Sequence, residues 1–166
     1  VVKSLEIYDE ARQMLKVNDH LTDAIGDLQE ENKRLKKEIE ELNFEKTKSI
    51  KQDLLSKFKS IKNYNLLIER VEMPDGGQLK NLIFQLEKEK ENAVIVLGWC
   101  DTDKAQLMVA INKDLTTEIH AGKIISQLAK EINGGGGGQP FFASAGGKNP
   151  AGLKNALSKA SEILSN

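Results

Sequence analysis

The spacing of apolar residues changes character near Asn63, and this change limits the chain to an extended helical part followed by a small mixed domain. From Leu21 the apolar positions run Leu21, Ile25, Leu28, Leu35, Ile39 and Leu42, alternating steps of four and three, with Asn32 in the remaining seam position. That is a heptad pattern. A polar residue in such a seam fixes register or partner number at some cost in stability, so the seven residues form a candidate dimerisation face. The other reading is an ordinary amphipathic helix packed on a further domain. Upstream, Leu5, Tyr8, Ala11 and Leu15 make a shorter stripe, and Val17-Asn18-Asp19-His20 between the two stripes predicts a helix break. Beyond Leu42 the seam fails at Lys46 and Ser49, and a new apolar face of Ile50, Leu54, Phe58 and Ile61 begins.

Charge divides along the same line. The formal net charge is only −1, yet Leu5–Glu31 holds eight acidic and two basic residues, while Lys46–Lys62 holds six lysines against Asp53 alone. A polyanion would meet the chain first at the second stretch. On a helical wheel Lys48, Lys51, Lys59 and Lys62 fall within about 80°, roughly opposite Ile50, Leu54 and Ile61. Such a stripe suits a phosphate backbone, although a solvated face is the commoner meaning of a lysine run, and Leu55 interrupts it.

The part from Asn63 to Asn166 reads β-α-β-β-α-β-α, an α+β unit with a mixed sheet covered by helices. Tyr64–Glu72 is expected to be a strand, and Asp75-Gly76 to open a helix with Leu79, Leu82, Ile83 and Leu86 on one face. The run Ala93–Leu97 suits a strand buried on both sides. A tight turn at Asp101–Lys104 then leads into a strand over Ala105–Ile111. A helix carrying Ala121, Ile124, Ile125, Leu128 and Ile132 follows, then five glycines, a short strand at Phe141–Ala145, and a last helix. Asn149 is placed to cap that helix, Pro150 suits its first turn, and Leu153, Leu157, Ala160 and Leu164 form its inner face. The expected domains are therefore a helical arm at 1–62 and a globular part at 63–166.

Several classes of function are disfavoured. No apolar run approaches the roughly 20 residues that span a bilayer, and no basic-then-apolar start marks a signal peptide, so a cytoplasmic location is expected. Cys100 is the one cysteine, best read as a packed strand residue, and with His20 and His120 the only histidines there are no clustered metal ligands. The sequence begins at Val1 within a helical pattern, as expected of a segment from a longer chain.

The most informative residues are Gly134-Gly135-Gly136-Gly137-Gly138-Gln139-Pro140, followed by Phe141-Phe142-Ala143-Ser144-Ala145-Gly146-Gly147-Lys148. Read as a loop, the glycines leave a bare backbone able to bring several N–H groups against a phosphate or ribose; a flexible connector is the plainer reading. A Walker loop ending at Gly147-Lys148 would need glycine at Phe142 and a hydroxyl at Asn149, and no register of the run satisfies G-x-G-x-x-G. ATP or NAD binding by these signatures is unsupported.

Taken together, the helix Ala121–Asn133, the GGGGGQP segment, the short strand and the Ala145-Gly146-Gly147 turn resemble the DHH-associated domain at the C-terminus of alanyl-tRNA synthetase, also found in RecJ-like phosphoesterases. The resemblance spans Tyr64–Asn166, and the arm is similar to the helical part of the same region. It implies a non-catalytic module that binds tRNA at its outer corner in support of aminoacylation and editing, and that dimerises in some members. The family commonly has Arg-Pro-Asp after the glycines; Gln139 and Phe141 stand in the charged places, so contact through that arginine does not carry over. The implied RNA-binding set is Gly134–Gly138, Gln139, Gly146, Gly147 and Lys148, with Lys48, Lys51, Lys59 and Lys62 from the arm. No catalytic or metal-binding residue and no cofactor is expected within this chain, whereas the parent enzyme is expected to use ATP, magnesium and zinc. A homodimer or a partner helix is expected on Leu21–Leu42. The C-terminal half of a phosphoesterase, or a structural coiled-coil adaptor, are the competing readings.

Overall fold

A computed structural model gives the protein's structure for residues 1–17 and 20–165. The chain divides into two compact units, Val1–Glu45 and Lys46–Asn166. In the first, helix α1 (Val2–Leu15) ends at Lys16, whose left-handed φ of 54° lets the capping N–H reach the Arg12 and Gln13 carbonyls. Helix α2 (Leu21–Ser56) follows His20 at φ 61°. The predicted break therefore lies between α1 and α2, with its central pair Asn18-Asp19 outside the described residues. Leu21 is half-buried, and Ile25, Leu28, Leu35, Ile39 and Leu42 are all exposed, so among the described residues of this unit most of the heptad face is left open.

The second unit starts inside α2, ahead of the boundary expected at 63, because the last turns of that helix already belong to the core. Leu54 is buried, and Ile50, Leu55 and Phe58 pack beside it. The predicted helix through Lys62 is corrected here. It stops at Ser56, the Lys57 N–H closes onto the Leu54 carbonyl at 3.1 Å, and Lys59–Ile61 forms strand β1 paired antiparallel with the start of β2 (Tyr64–Arg70). Lys62, at φ 54°, and Asn63 make the connection. Pairing Ile61 with Tyr64 gives the backbone of Lys-Ser-Ile a partner that a longer helix would have denied it. A run of three residues carries no periodicity by which sequence could have found it.

The sheet has six strands among the described residues, in the order β1-β2-β3-β4-β6-β5. Strand β3 (Ala93–Cys100) lies parallel to β2 after the crossover helix α3 (Leu79–Glu89). Strand β4 (Ala105–Ile111) returns antiparallel through the Asp101 turn, whose carboxylate accepts from the Asp103 and Lys104 N–H groups at 2.8 and 2.7 Å. Those two amides hold the Asp101 carboxyl below its ordinary pKa. After helix α4 (Ala121–Leu128) come β5 (Gly134–Gly138) and β6 (Phe142–Gly147), and α5 (Leu153–Ser165) closes the chain. The predicted α+β class and order hold, with β1 and β5 added.

Two apolar layers sandwich the sheet. On one face α4 and α5 cover Leu66, Val96, Leu107, Val109 and Ala143. On the other α3 and the end of α2 cover Leu67, Ile95, Leu97 and Ala110. This alternation along β2, β3 and β4 is the period of two that a strand imposes, and β3 is apolar on both faces because both are covered. The Tyr64 hydroxyl donates to the Leu164 carbonyl and ties β2 to the end of α5. Burial pushes its phenol above the usual range. The Trp99 indole N–H reaches the Met73 carbonyl at 2.9 Å. Asn149, expected to cap the last helix, makes no such bond; its amide donates to the Glu131 carbonyl at 3.1 Å, linking the approach to α5 to the turn that follows α4. No helix among the described residues is long and apolar enough to cross a membrane.

Candidate nucleic-acid interface

The five glycines are not a loop. After α4, Asn133 at φ 50° turns the chain, and Gly134–Gly138 runs as an extended strand beside Gly147–Ala143 in reverse order. No glycine among the described residues has a positive φ, so the expected left-handed, freely turning backbone is replaced by an edge strand. Polyglycine is a poor strand former, and its entropic cost has to be met by something local.

That something is close approach. A Cβ built at Gly134, Gly136 or Gly138 would collide with the backbone of β6, at the Gly146, Ser144 and Phe142 carbonyl oxygens respectively. Hydrogen alone fits at these alternate positions. At Gly135 and Gly137, and at Gly146 across the pair, a Cβ would meet nothing within 4 Å. The run therefore contains two kinds of glycine: three seat the strand against its neighbour, and two leave bare backbone facing open space. All five are exposed. At the closed end the Gln139 N–H donates to the Phe142 carbonyl at 2.8 Å. Antiparallel alternation from that bond turns the N–H groups of Gly136 and Gly138 toward the unpaired edge.

Helix α4 flanks this edge. His120 caps its start, with Nδ1 accepting from the Lys123 N–H at 3.4 Å. A shallow groove of about 520 Å³ between α4 and the strand is lined by His120, Lys123, Ser126, Gln127, Gly137 and Gly138. His120, Lys123 and Gln127 also line a second hollow that reaches Lys62 and Asn63. A continuous strip thus runs from the bare strand, across the exposed face of α4, to the β1–β2 turn. Sequence reading missed His120, Lys123 and Gln127. The available signal was slight: Lys123 and Gln127 occupy exposed positions between the buried Ile124, Ile125 and Leu128 of α4, as any solvated helix face would.

The predicted residues separate into those the fold gathers and those it disperses. Gly134–Gly138, Gln139, Gly146 and Gly147 form one hairpin, and exposed Lys148 follows it directly. The four-lysine stripe does not exist, because its members sit on different elements. Lys48 is exposed on α2; Lys51 is turned toward α3, where its ammonium pairs with Glu89; Lys59 lies on β1 at the sheet edge opposite β5. Of the four, only Lys62 lines the strip that leads to the glycines. Phe141, at the place where a charge was expected, is 39% exposed, with the Lys113 ammonium 5.8 Å from its ring centre. Among the described residues no group of three or more His, Cys, Asp or Glu is arranged to hold a metal ion.

Comparison with known proteins agrees with this architecture. Residues 63–166 match the DHHA1 domain model. Over 160 residues the chain is 43% identical to the alanine–tRNA ligase of Christiangramia forsetii, a match covering 95% of this chain and 18% of that protein. Against the alanine–tRNA ligase of Parabacteroides distasonis it is 37% identical over 161 residues, 96% of this chain and 18% of that one. The chain thus spans a minor part of the relatives it matches. Among solved structures, the C-Ala domain from Aquifex aeolicus alanyl-tRNA synthetase aligns with a TM-score of 0.60 at 26% identity, covering 66% of this chain and 99% of that one.

The two classes of glycine give a direct test. Gly136→Ala is expected to destabilise the fold by about 1–3 kcal/mol, the usual range for forced overpacking, whereas Gly135→Ala should stay within about 0.5 kcal/mol, as for an unencumbered surface change. Urea unfolding of both variants reads the difference, and equal effects would contradict the close seating of β5.

Proposed function

The chain belongs to the DHHA1 domain family, and from that membership we propose that it is the tRNA-gripping C-terminal module of an alanine–tRNA ligase. Its role is to hold the outer corner of the tRNA while distant sites of the parent charge and proofread it. The observation that carries the reading is the bare face of β5, where Gly135, Gly137 and Gly146 leave backbone exposed beside Lys148, Lys123 and His120. A strand with no side chains lets a sugar–phosphate backbone approach main-chain N–H groups at hydrogen-bond distance. The neighbouring cations supply a sequence-independent attraction. RNA shape, rather than base identity, would then be the feature recognised.

Catalysis is assigned to the parent. The chemistry that uses ATP, magnesium and zinc is placed in the parent enzyme, of which this chain spans a minor part. The phosphoesterase reading loses ground because two relatives that match nearly the whole chain, arm included, are alanine–tRNA ligases.

A second element of the reading is self-association. Exposed Ile25, Leu28, Leu35, Ile39 and Leu42 follow a heptad with Asn32 in its seam, and exposed aliphatics in that spacing are stabilised when a second helix covers them. A second copy of the chain is the proposed cover. Sedimentation should show mass rising with concentration toward twice the monomer value, and Leu35→Asp should abolish the rise; a constant monomer mass in the unmodified chain would remove this element and leave tRNA binding standing.

The RNA reading itself is tested by titrating the chain with tRNA over a range of salt. Gly137→Glu places a carboxylate in open space without disturbing β6 and is expected to weaken binding by roughly tenfold, about 1.4 kcal/mol. Lys148→Ala should lower the slope of log affinity against log salt by about one. Unchanged affinity in both variants would take the glycine face out of the interface.

A further inference from the structure

A separate cavity lies away from the glycine edge, where the β1–β2 end of the sheet meets α5. It has a volume of about 610 Å³, within the span of roughly 300–1,000 Å³ typical of sites for small organic ligands. Its floor is aliphatic: Ile61 from β1, Ile68 from β2 and Leu157 from α5 are each only partly buried and pack against the larger core. Its rim is cationic, with Lys59 on β1, Arg70 at the end of β2 and Lys154 on the first turn of α5 arriving from three elements. The carboxylate in its lining, Glu69, is engaged by Lys57, which also pairs with Asp53 at 2.9 Å. Among the described residues none of Lys59, Arg70 and Lys154 has an ion-pair partner.

Two features of this arrangement select a ligand class. Aliphatic side chains left half-covered gain from any flat apolar group laid on them. Three uncompensated cations, one of them a guanidinium able to make two parallel bonds to a phosphate, favour a doubly charged anion at the mouth. A nucleoside phosphate has both parts joined at the right scale, a planar base on one side of a sugar and a phosphate on the other. We propose that this cavity binds one unstacked nucleotide, with the base over Ile61, Ile68 and Leu157 and the phosphate held by Lys59, Arg70 and Lys154. The nucleotide could be free or be a splayed residue of a bound RNA. In the second case the site rests on the RNA-binding function proposed above and provides a hold at the sheet edge remote from β5.

The test uses the 166-residue chain with methyl-labelled isoleucine and leucine, titrated separately with adenosine monophosphate, a single-stranded RNA tetranucleotide, a blunt RNA duplex, inorganic phosphate and polyglutamate. The expected result is that the mononucleotide and the tetranucleotide shift the Ile68 and Leu157 methyl resonances while phosphate alone does not. The paired variant Arg70→Met with Lys154→Met, in which both side chains keep their apolar stems, should weaken both ligands about tenfold; an unchanged melting temperature shows that the loss is not unfolding. Tighter binding of the tetranucleotide than of the monophosphate identifies RNA as the source, and equal binding identifies a free nucleotide. Silent methyls with every ligand would overturn the proposal. So would displacement of the monophosphate by polyglutamate at equal charge, which would mark an acidic-peptide surface, or by inorganic phosphate at equal concentration, which would mark a simple anion site. If tRNA binds tightly while these methyls stay silent, this cavity fails and the main function stands; if the mononucleotide binds and tRNA does not, the reverse holds.

Discussion

The contact between β5 and β6 is the interaction on which the candidate interface depends. Three glycines, at 134, 136 and 138, let two backbones meet more closely than any side chain would permit. The edge strand that results is built without a core-facing residue of its own. Its position is set by the strand beside it, by Asn133 at its entry and by α4 along its flank. The layer of α4 and α5 over Val96, Leu107 and Val109 holds β4 and β6 in place, and β5 inherits their rigidity. A flexible glycine connector would have to be ordered by each ligand at an entropic cost. A seated strand has met that cost during folding and offers its open N–H groups in fixed directions, which is the usual benefit of preorganisation.

The same geometry supports the proposed role of holding an RNA. Its polar groups are backbone amides, lysines, a capping histidine and glutamine, spread over a strip with no enclosed, water-free pocket. Such a strip would attract a polyanion broadly and order it through main-chain contacts, as the proposed tRNA-holding role requires. The separate unit of α1 and the first part of α2 contributes a different surface, an exposed heptad face suited to another helix.

Much of the fold was legible in the sequence because its signals are local. The apolar runs Ala93–Leu97 and Ala105–Ile111 and the periodic faces of α3, α4 and α5 each marked their own element. The misses share a different cause. Whether five glycines form a loop or a strand is decided by what lies across from them, and no feature of the run itself reveals that Ala143–Gly147 is close enough to pair. Lys59–Ile61 leaves the helix for a similar reason, since its partner at Tyr64–Leu66 competes successfully for the backbone. That single event dispersed the lysine stripe, taking Lys59 to the far sheet edge and Lys62 into a turn, while Lys51 was drawn to Glu89. The glycine positions of the candidate site were therefore identifiable from sequence; their shape and their neighbours on α4 were not.

Amide hydrogen exchange across β5, measured with and without tRNA, addresses the central claim most directly. Gly136 and Gly138, whose N–H groups face the unpaired edge, should exchange quickly in the free chain and slow markedly when tRNA is bound, while the inward amides of Gly135 and Gly137 should be protected in both states. Fast and uniform exchange over Gly134–Gly138 in the free chain, or rates at Gly136 and Gly138 that tRNA leaves unchanged, would contradict a seated strand that presents its backbone to RNA.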